Sequence, residues 1–536
     1  MDKSELSKAE KINLSYLRFH SLARAARLTR QEVLDGLPVV ELFQTDAMAV
    51  DTSLALMTIT HFTIGLGTIL HLAGDRTDLD DVIESMLKVE VMCPALLTEL
   101  GYGNNVQSLE TEARYDAEAE EFVIHTPNDR ALKFISYTGY PGKAKTGLVY
   151  ARLWDGERDC GVHPFLVPIR DADGSVRPGI TIRAVVDRMT PDPMDHAITR
   201  FDQVRVPRRM FLGGAANTIT ADGHFQTELA DNRAVFLHTM GRLDYAKLSL
   251  IVGALKMARV SLTLAFEFAA QRTITARGGA TFPVSVLPSQ QVPLMCAYAR
   301  FRAAEVLYRQ AVDKVSGAAT GVDDDIVSIS KYTSIPLAVD TIQTCVERCG
   351  SHAYMERNRL STYLVTALHA NTADGDAMPL ALQVARNMMR AGSDYRPPWV
   401  ERDVPGFAAM LARREHAVYA ELAARLARTP WPVNLNLAHD LARTRATRIA
   451  LEALEAEDPE VAILFGLLAV REHGAWFATS GTAGAAELAG LDDRIEERAL
   501  QLYANVADIR KRLDVEEFVA GMPMGQPDYV AAWAAL

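Results

Sequence analysis

Along this chain the spacing of apolar residues changes twice, and that change limits the fold more tightly than any composition figure. From Glu5 to about Leu87 apolar side chains recur three and four residues apart, as in Tyr16-Leu17, Leu22-Ala23, Ala26 and Leu28, which is the period of an amphipathic helix. Between Cys93 and Leu212 the pattern gives way to short branched and aromatic runs: Phe122 to His125, Gly147 to Leu153, Phe165 to Ile169 and Ile180 to Ile182. Asp-Gly, Pro-Gly and Pro-Asn pairs separate them, so the spacing predicts a β domain of roughly 120 residues. Helical periodicity returns near Arg233 and holds to about Arg390, with Ala/Leu/Arg-rich segments from Leu248 to Arg272 and from Gln290 to Val315 that read as long antiparallel bundle helices. Gly392 to Trp399 is a Pro-rich break, and a further Ala/Leu/Glu/Arg helical segment follows it to the end. The expected architecture is α+β and multidomain: an N-terminal helical domain over 1–90, a central β domain over 91–212, a helical bundle over 213–399 and an extra C-terminal helical domain over 400–536.

Length and charge narrow the function classes. At 536 residues the chain exceeds one hydrophobic core, and about 150 residues per domain predicts three or four domains. Apolar residues at 49% and charged residues at 23% exclude a mostly disordered, collagen-like or disulfide-rich secreted protein. A formal charge of -12 provides no global positive field for a polyanion, so nucleic acid is not an expected partner. Five cysteines leave one unpaired in any scheme and point to a reducing compartment. The opening residues mix acidic and basic side chains, unlike a signal peptide, and the closing Ala-Trp-Ala-Ala-Leu is no peroxisomal address, so a cytoplasmic location is expected. Thr52 to Gly74 carries no charged residue, but its Thr58, Thr60, His61, Thr63, Thr68 and His71 favour a buried helix pair over a membrane span.

Four places carry candidate chemistry. Thr98-Glu-Leu-Gly-Tyr-Gly103 sits at the edge of the first β run, where glycines permit close backbone approach and Thr98 offers a hydroxyl, although a plain turn has the same composition. Lys133-Phe-Ile-Ser-Tyr-Thr-Gly139 combines aromatic, hydroxyl and glycine residues that suit the lining of a flat ring or a generic hairpin. Glu267-Phe-Ala-Ala-Gln-Arg272 ends a bundle helix, with Arg272 either a phosphate contact or part of a solvated face. Cys349-Gly-Ser-His-Ala-Tyr354 is followed by Thr372-Ala-Asp-Gly-Asp376, in which Asp374 is a candidate base or, with Asp376 adding charge to the first turn, a helix N-cap. Cys345, Cys349 and His352 lack the fourth ligand of a zinc site, so no metal is expected, and Lys143 and Lys145 are candidate phosphate contacts.

This ordered series, with Gly161 to Arg170 and Phe201 to Pro207 between its members, resembles the acyl-CoA dehydrogenase and oxidase superfamily. The Thr98-Glu-Leu-Gly101 and Val167-Pro-Ile-Arg170 spellings favour the oxidase branch, and the similarity runs from about His61 to Arg390 and more faintly to the end. The resemblance implies a helical domain, a β domain and a four-helix bundle that clasp FAD, with the second helical domain that oxidases add. It also implies that Thr98 and the Phe134 to Ser136 segment lie against the isoalloxazine ring, that Arg272 and the Gly350 loop meet the FAD diphosphate, that Asp376 contacts the cofactor and that Asp374 is the catalytic base. The family has Gln and Phe where this chain has Ile274 and Thr275, glycines at Ser351 and Ala353, and glutamate at Asp374. The implied substrate is an acyl thioester of CoA or of a carrier protein, oxidised in a homodimer or tetramer with oxygen or a flavoprotein as electron acceptor. The alternative is a scaffold that has lost FAD use and serves as a non-oxidative enzyme or a silent partner subunit.

Overall fold

A computed structural model describes residues 6–185, 192–220, 222–318, 323–390, 392, 395–397 and 406–536. The chain divides into two compact units, 1–249 and 250–536.

The first unit opens on helix Lys8–Ala26, whose start is fixed by a reciprocal capping box between Ser7 and Glu10. Thr29 and Glu32 repeat the device at helix Arg30–Asp35. The uncharged stretch expected to form a helix pair is instead one continuous helical run, Thr52–Ala73, with a π-helical middle at Ile59–Leu66. Its polar groups find partners: the buried His61 Nε2 donates to the Met86 carbonyl at 2.9 Å and its Nδ1 accepts from the Cys93 amide at 3.0 Å. Burial lowers the His61 pKa to about 4, so the ring stays neutral. Gly65 lets this helix lie on the chain at Cys93, since a Cβ there would come within 2.8 Å of the Cys93 sulfur. Thr52–Ala73 and Leu243–Gln271 are both long and apolar enough to cross a membrane by length and composition, and 72% and 83% of their apolar windows are buried within the protein.

The β region follows the branched runs. Ala144–Asp155 and Arg158–Arg170 form a long antiparallel hairpin in a seven-stranded sheet, with Arg158–Arg170 at its edge and Glu112–Asp116, Glu121–His125 and Val204–Pro207 extending the sheet from Ala144–Asp155 on the other side. Phe122 and Ile124 alternate inward along their strand, as a sheet with one covered face requires. A second, three-stranded sheet joins Lys133–Ser136, Ala197–Phe201 and Ile180–Ala184.

In the second unit, helix Pro288–Ser316 packs against Ile326–Cys349, and Leu360–Thr372 and Ala377–Arg390 pack on the latter. The helices after the Pro-rich break do not form a separate body. Leu435–Glu457, Pro459–Glu472 and Leu491–Tyr503 lie directly on Pro288–Ser316, and the Tyr332 hydroxyl donates to the Ala442 carbonyl at 2.9 Å. Trp399 and the expected boundary at 399–400 lie outside the described residues. A buried ion cluster ties the later helices: Arg448 Nε donates to Glu415 at 2.6 Å and its Nη1 to Glu452 at 2.9 Å, with Glu415 fully buried and also bonded by the Tyr395 hydroxyl.

Removing one member of such a pair strands the other in a low-dielectric interior. Glu415→Ala should therefore cost about 3–5 kcal/mol, read as a lower melting temperature, while Glu415→Leu with Arg448→Met should recover most of it. Equal melting temperatures for Glu415→Ala and the parent would show that the cluster contributes nothing to stability.

Candidate active site

The Thr98 turn in the first unit is held from inside. Phe134 donates its amide to the Thr98 carbonyl at 3.0 Å, which sets these two residues side by side. The buried Lys133 anchors both: its ammonium donates to the Tyr150 carbonyl at 2.7 Å, to Glu99 at 2.9 Å and to the Leu97 carbonyl at 3.4 Å. Burial pulls the Lys133 pKa down against the opposing charge of Glu99. Glu99 also accepts from the amides of Glu110 and Thr111 at 2.8 and 2.9 Å, so its carboxylate is fully committed and is no base for chemistry. Phe134 is half-buried and Ile135 is 39% exposed, giving an apolar surface beside the Thr98 hydroxyl, which has no hydrogen-bond partner among the described residues.

Ser136 departs from expectation. Its register on Ala197–Phe201 shifts between Lys133 and Ser136, which brings Ser136 to the inner face together with Lys133. There its hydroxyl donates to the Ala197 carbonyl at 3.1 Å and meets the Thr199 hydroxyl at 3.0 Å, rather than facing a ligand. Lys145 is likewise turned inward: it is buried, pairs with Asp195, and donates to the Tyr137 carbonyl at 2.9 Å and the Tyr16 hydroxyl at 3.0 Å, so it does not reach for a phosphate.

Within the second unit, Arg272 follows the end of helix Leu243–Gln271 and stays exposed, with no side-chain partner among the described residues. Its charge acts on Cys349 and His352, which places it beside the Gly350 loop. Burial, and after it the Arg272 charge, lowers the His352 pKa, while the ring packs 5.1 Å from both Phe268 and Tyr529. Gly350 has φ +58, and an added Cβ would meet nothing within 4 Å, so backbone here is open to a close ligand. Ala353 is fully buried, which turns its methyl into the protein, and Ser351 is exposed.

Asp374 sits in the turn between helices Leu360–Thr372 and Ala377–Arg390, with φ +47, followed by Gly375 at φ +106. Of the two acids it is Asp376 that caps the next helix, accepting from the Met378 amide at 3.0 Å. Asp374 is half-buried, and among the described residues neither its amide nor its carboxyl has a hydrogen-bond partner. Burial pushes the carboxyl up to about 6, with the Lys331 ammonium opposing the rise. Lys331 escaped the sequence reading. It belongs to the buried stripe of Val327, Ser334, Ile335 and Ala338, and a lysine on such a stripe is the signal that could have found it.

Residues 236–389 match the family described as acyl-CoA dehydrogenase, C-terminal domain. The chain is similar to peroxisomal acyl-coenzyme A oxidase 3 of Homo sapiens, 30% identical over 330 residues that cover 58% of this chain and 46% of the human protein. It thus spans about half the length of the curated relatives it matches. Its fold matches acyl-CoA oxidase 1 from Yarrowia lipolytica with a TM-score of 0.81 at 17% identity, over 98% of this chain and 85% of that one. It also matches acyl-CoA oxidase-1 of Caenorhabditis elegans, a structure holding FAD and ATP, with a TM-score of 0.75 at 17% identity, over 100% of this chain and 95% of that one.

The raised Asp374 pKa has a consequence for stability. Between the ordinary aspartate value and about 6 the folded chain holds a proton that the unfolded chain has released, so stability falls as pH rises through that window. Asp374→Asn removes this loss. The variant should be more stable than the parent at pH 7.5 by on the order of 1–3 kcal/mol, and the difference should close toward pH 4 in paired thermal-unfolding curves. A difference that does not change with pH would mean that Asp374 titrates normally.

Proposed function

We propose that this chain, a member of the acyl-CoA dehydrogenase and oxidase superfamily on its oxidase branch, oxidises an acyl thioester between its α and β carbons with FAD, using Asp374 as the base. The observation that carries this reading is the state of Asp374: one residue presents an amide and a carboxyl that are both without protein partners among the described residues, and burial has brought the carboxyl to about 6. A hydrogen on the carbon next to a thioester is too weakly acidic for a solvated carboxylate at neutral pH. A donor on the thioester oxygen and a positioned, poorly hydrated base are both needed. The Asp374 amide suits the first role and its carboxylate, ionised above about pH 6, the second.

Several residues fit the flavin. The partnerless Thr98 hydroxyl and the half-buried Phe134 suit a flat ring with polar edges. The unpaired Arg272 guanidinium suits a diphosphate, whose oxygens its fork can satisfy in pairs, and the open Gly350 backbone permits close approach. When bound, FAD supplies the acceptor for the hydride leaving the β carbon. In this reading the Asp374 carboxylate would take the α proton and Arg272 would meet the cofactor diphosphate, while Thr98 is a candidate ring contact within the first unit. The thioester is carried on CoA or a carrier protein. The departures at Asp374, Ser351, Ala353, Ile274 and Thr275 favour a specialised substrate over bulk fatty-acid degradation. Five free, buried cysteines support a reducing, cytoplasmic setting, and the family resemblance supports a homodimer or tetramer.

The purified protein should be yellow, with a flavin band at about 450 nm that bleaches when an acyl-CoA is added without oxygen. Asp374→Ala should keep the band and lose turnover by about 10²–10⁴-fold. A colourless protein that refuses added FAD would favour the non-oxidative scaffold instead, and turnover retained in Asp374→Ala would take the base role from this residue.

A further inference from the structure

The turn that carries Asp374 is held by a group outside the proposed chemistry. Lys331, on helix Ile326–Cys349, is completely buried, and its ammonium donates to the carbonyls of Ala370 at 2.9 Å, Asn371 at 3.2 Å and Gly375 at 2.9 Å. Ala370 and Asn371 belong to the last turn of helix Leu360–Thr372, where carbonyls lack intrahelical partners and a cation is favoured by the helix dipole. A helix cap would need no more than those two. The bond to Gly375 crosses the turn, so one ammonium grips the backbone on both sides of Asp374.

That crossing matters because the turn is not a conformation the chain adopts freely. Asp374 has φ +47, in the left-handed region that few residues with a side chain enter. Residues held this way persist only where the surroundings determine them. An exposed lysine could have capped the helix without losing its hydration; a fully buried one carries a desolvation cost that only fixed geometry offsets.

We propose that Lys331 is a positioning residue for Asp374: its buried ammonium, bonded to carbonyl oxygens before and after that residue, fixes the left-handed turn that presents the Asp374 carboxyl and amide. The proposal rests on Asp374 being the base. Among the described residues Lys331 is also the charged group acting on the Asp374 carboxyl, where it opposes the effect of burial. Its removal therefore alters both the aim of the base and the pH at which the base ionises.

The test uses the FAD-loaded enzyme with Lys331→Met, Lys331→Gln and Lys331→Arg, beside Asp374→Ala. Lys331→Met should retain its flavin band and circular dichroism, lose about a hundredfold in kcat as expected for a displacement near 1 Å, and change KM little. Lys331→Gln keeps donors without the charge. It should recover part of kcat while the acid limb of its pH–rate profile moves to higher pH, and it carries the test if the methionine variant does not fold. Lys331→Arg should rescue the profile more than the rate, since its fork cannot reproduce three converging bonds. A folded, flavin-loaded Lys331→Gln or Lys331→Met with parental kcat and pH profile overturns the proposal while leaving the base reading intact. So does a loss of flavin in proportion to activity, which would mark a purely structural lysine. If Asp374→Ala keeps parental turnover, the base reading fails and the positioning role fails with it.

Discussion

A carboxylate that must take a weakly acidic proton has to be short of hydrogen bonds, because each donor it accepts lowers its basicity. It also has to be aimed, and hydrogen bonds are the usual means of aiming a side chain. In the base role proposed for Asp374, its turn separates the two demands. The carboxyl has no partner among the described residues, while the carbonyls of Ala370, Asn371 and Gly375, before and after it in the chain, accept from the Lys331 ammonium, so that in this role precision would come through the backbone and basicity would be left in the side chain.

The same device recurs elsewhere in the chain. Lys133 bonds to the Leu97 carbonyl and the Glu99 carboxylate, on either side of Thr98, and its own neighbour in sequence is Phe134. Lys145 bonds to the Tyr137 carbonyl and pairs with Asp195, which accepts from the Tyr140 amide at 3.0 Å, and so fixes the segment that follows Ser136. A lysine suits this task better than an arginine: its three donors radiate from one atom and can meet carbonyls arriving from different directions, whereas a planar fork prefers one flat partner. Each such lysine is buried, and each is partly or wholly satisfied by backbone, which offsets the cost of removing its charge from water.

These lysines also mark the limit of what the sequence disclosed. The strands at Glu121–His125 and Arg158–Arg170 and the long helices at Leu243–Gln271 and Pro288–Ser316 were legible because apolar period is a local property. Motif order singled out Asp374 and Arg272, whose side chains have no hydrogen-bond partner among the described residues, and Gly350, whose backbone is open. What the sequence hid was tertiary. A register shift decides that the Ser136 hydroxyl faces inward, and no local pattern announces one. Asp374 and Asp376 are equal candidates for an N-cap by residue type, and only the start of helix Ala377–Arg390 assigns that role to Asp376. The stretch from Thr52 to Ala73 reads as two helices because its polar residues interrupt the period, yet a π-helical segment carries the backbone through them, with His61 satisfied by chain that lies far away in sequence.

The departures from the family pattern differ in kind once their surroundings are known. The methyl of Ala353 is buried, so the lost glycine there adds no side chain to the open face of the loop, and Gly350 keeps its backbone accessible. Ile274 and Thr275 pair with Phe282 and Thr281 in a short antiparallel ladder, where branched residues are at home, and Arg272 beside them remains unpaired. Under the proposed base role the aspartate is the change nearest the chemistry, and the backbone supplies a reason for it. At φ +47 aspartate is among the few side-chain-bearing residues enriched in the left-handed region, whereas glutamate is not.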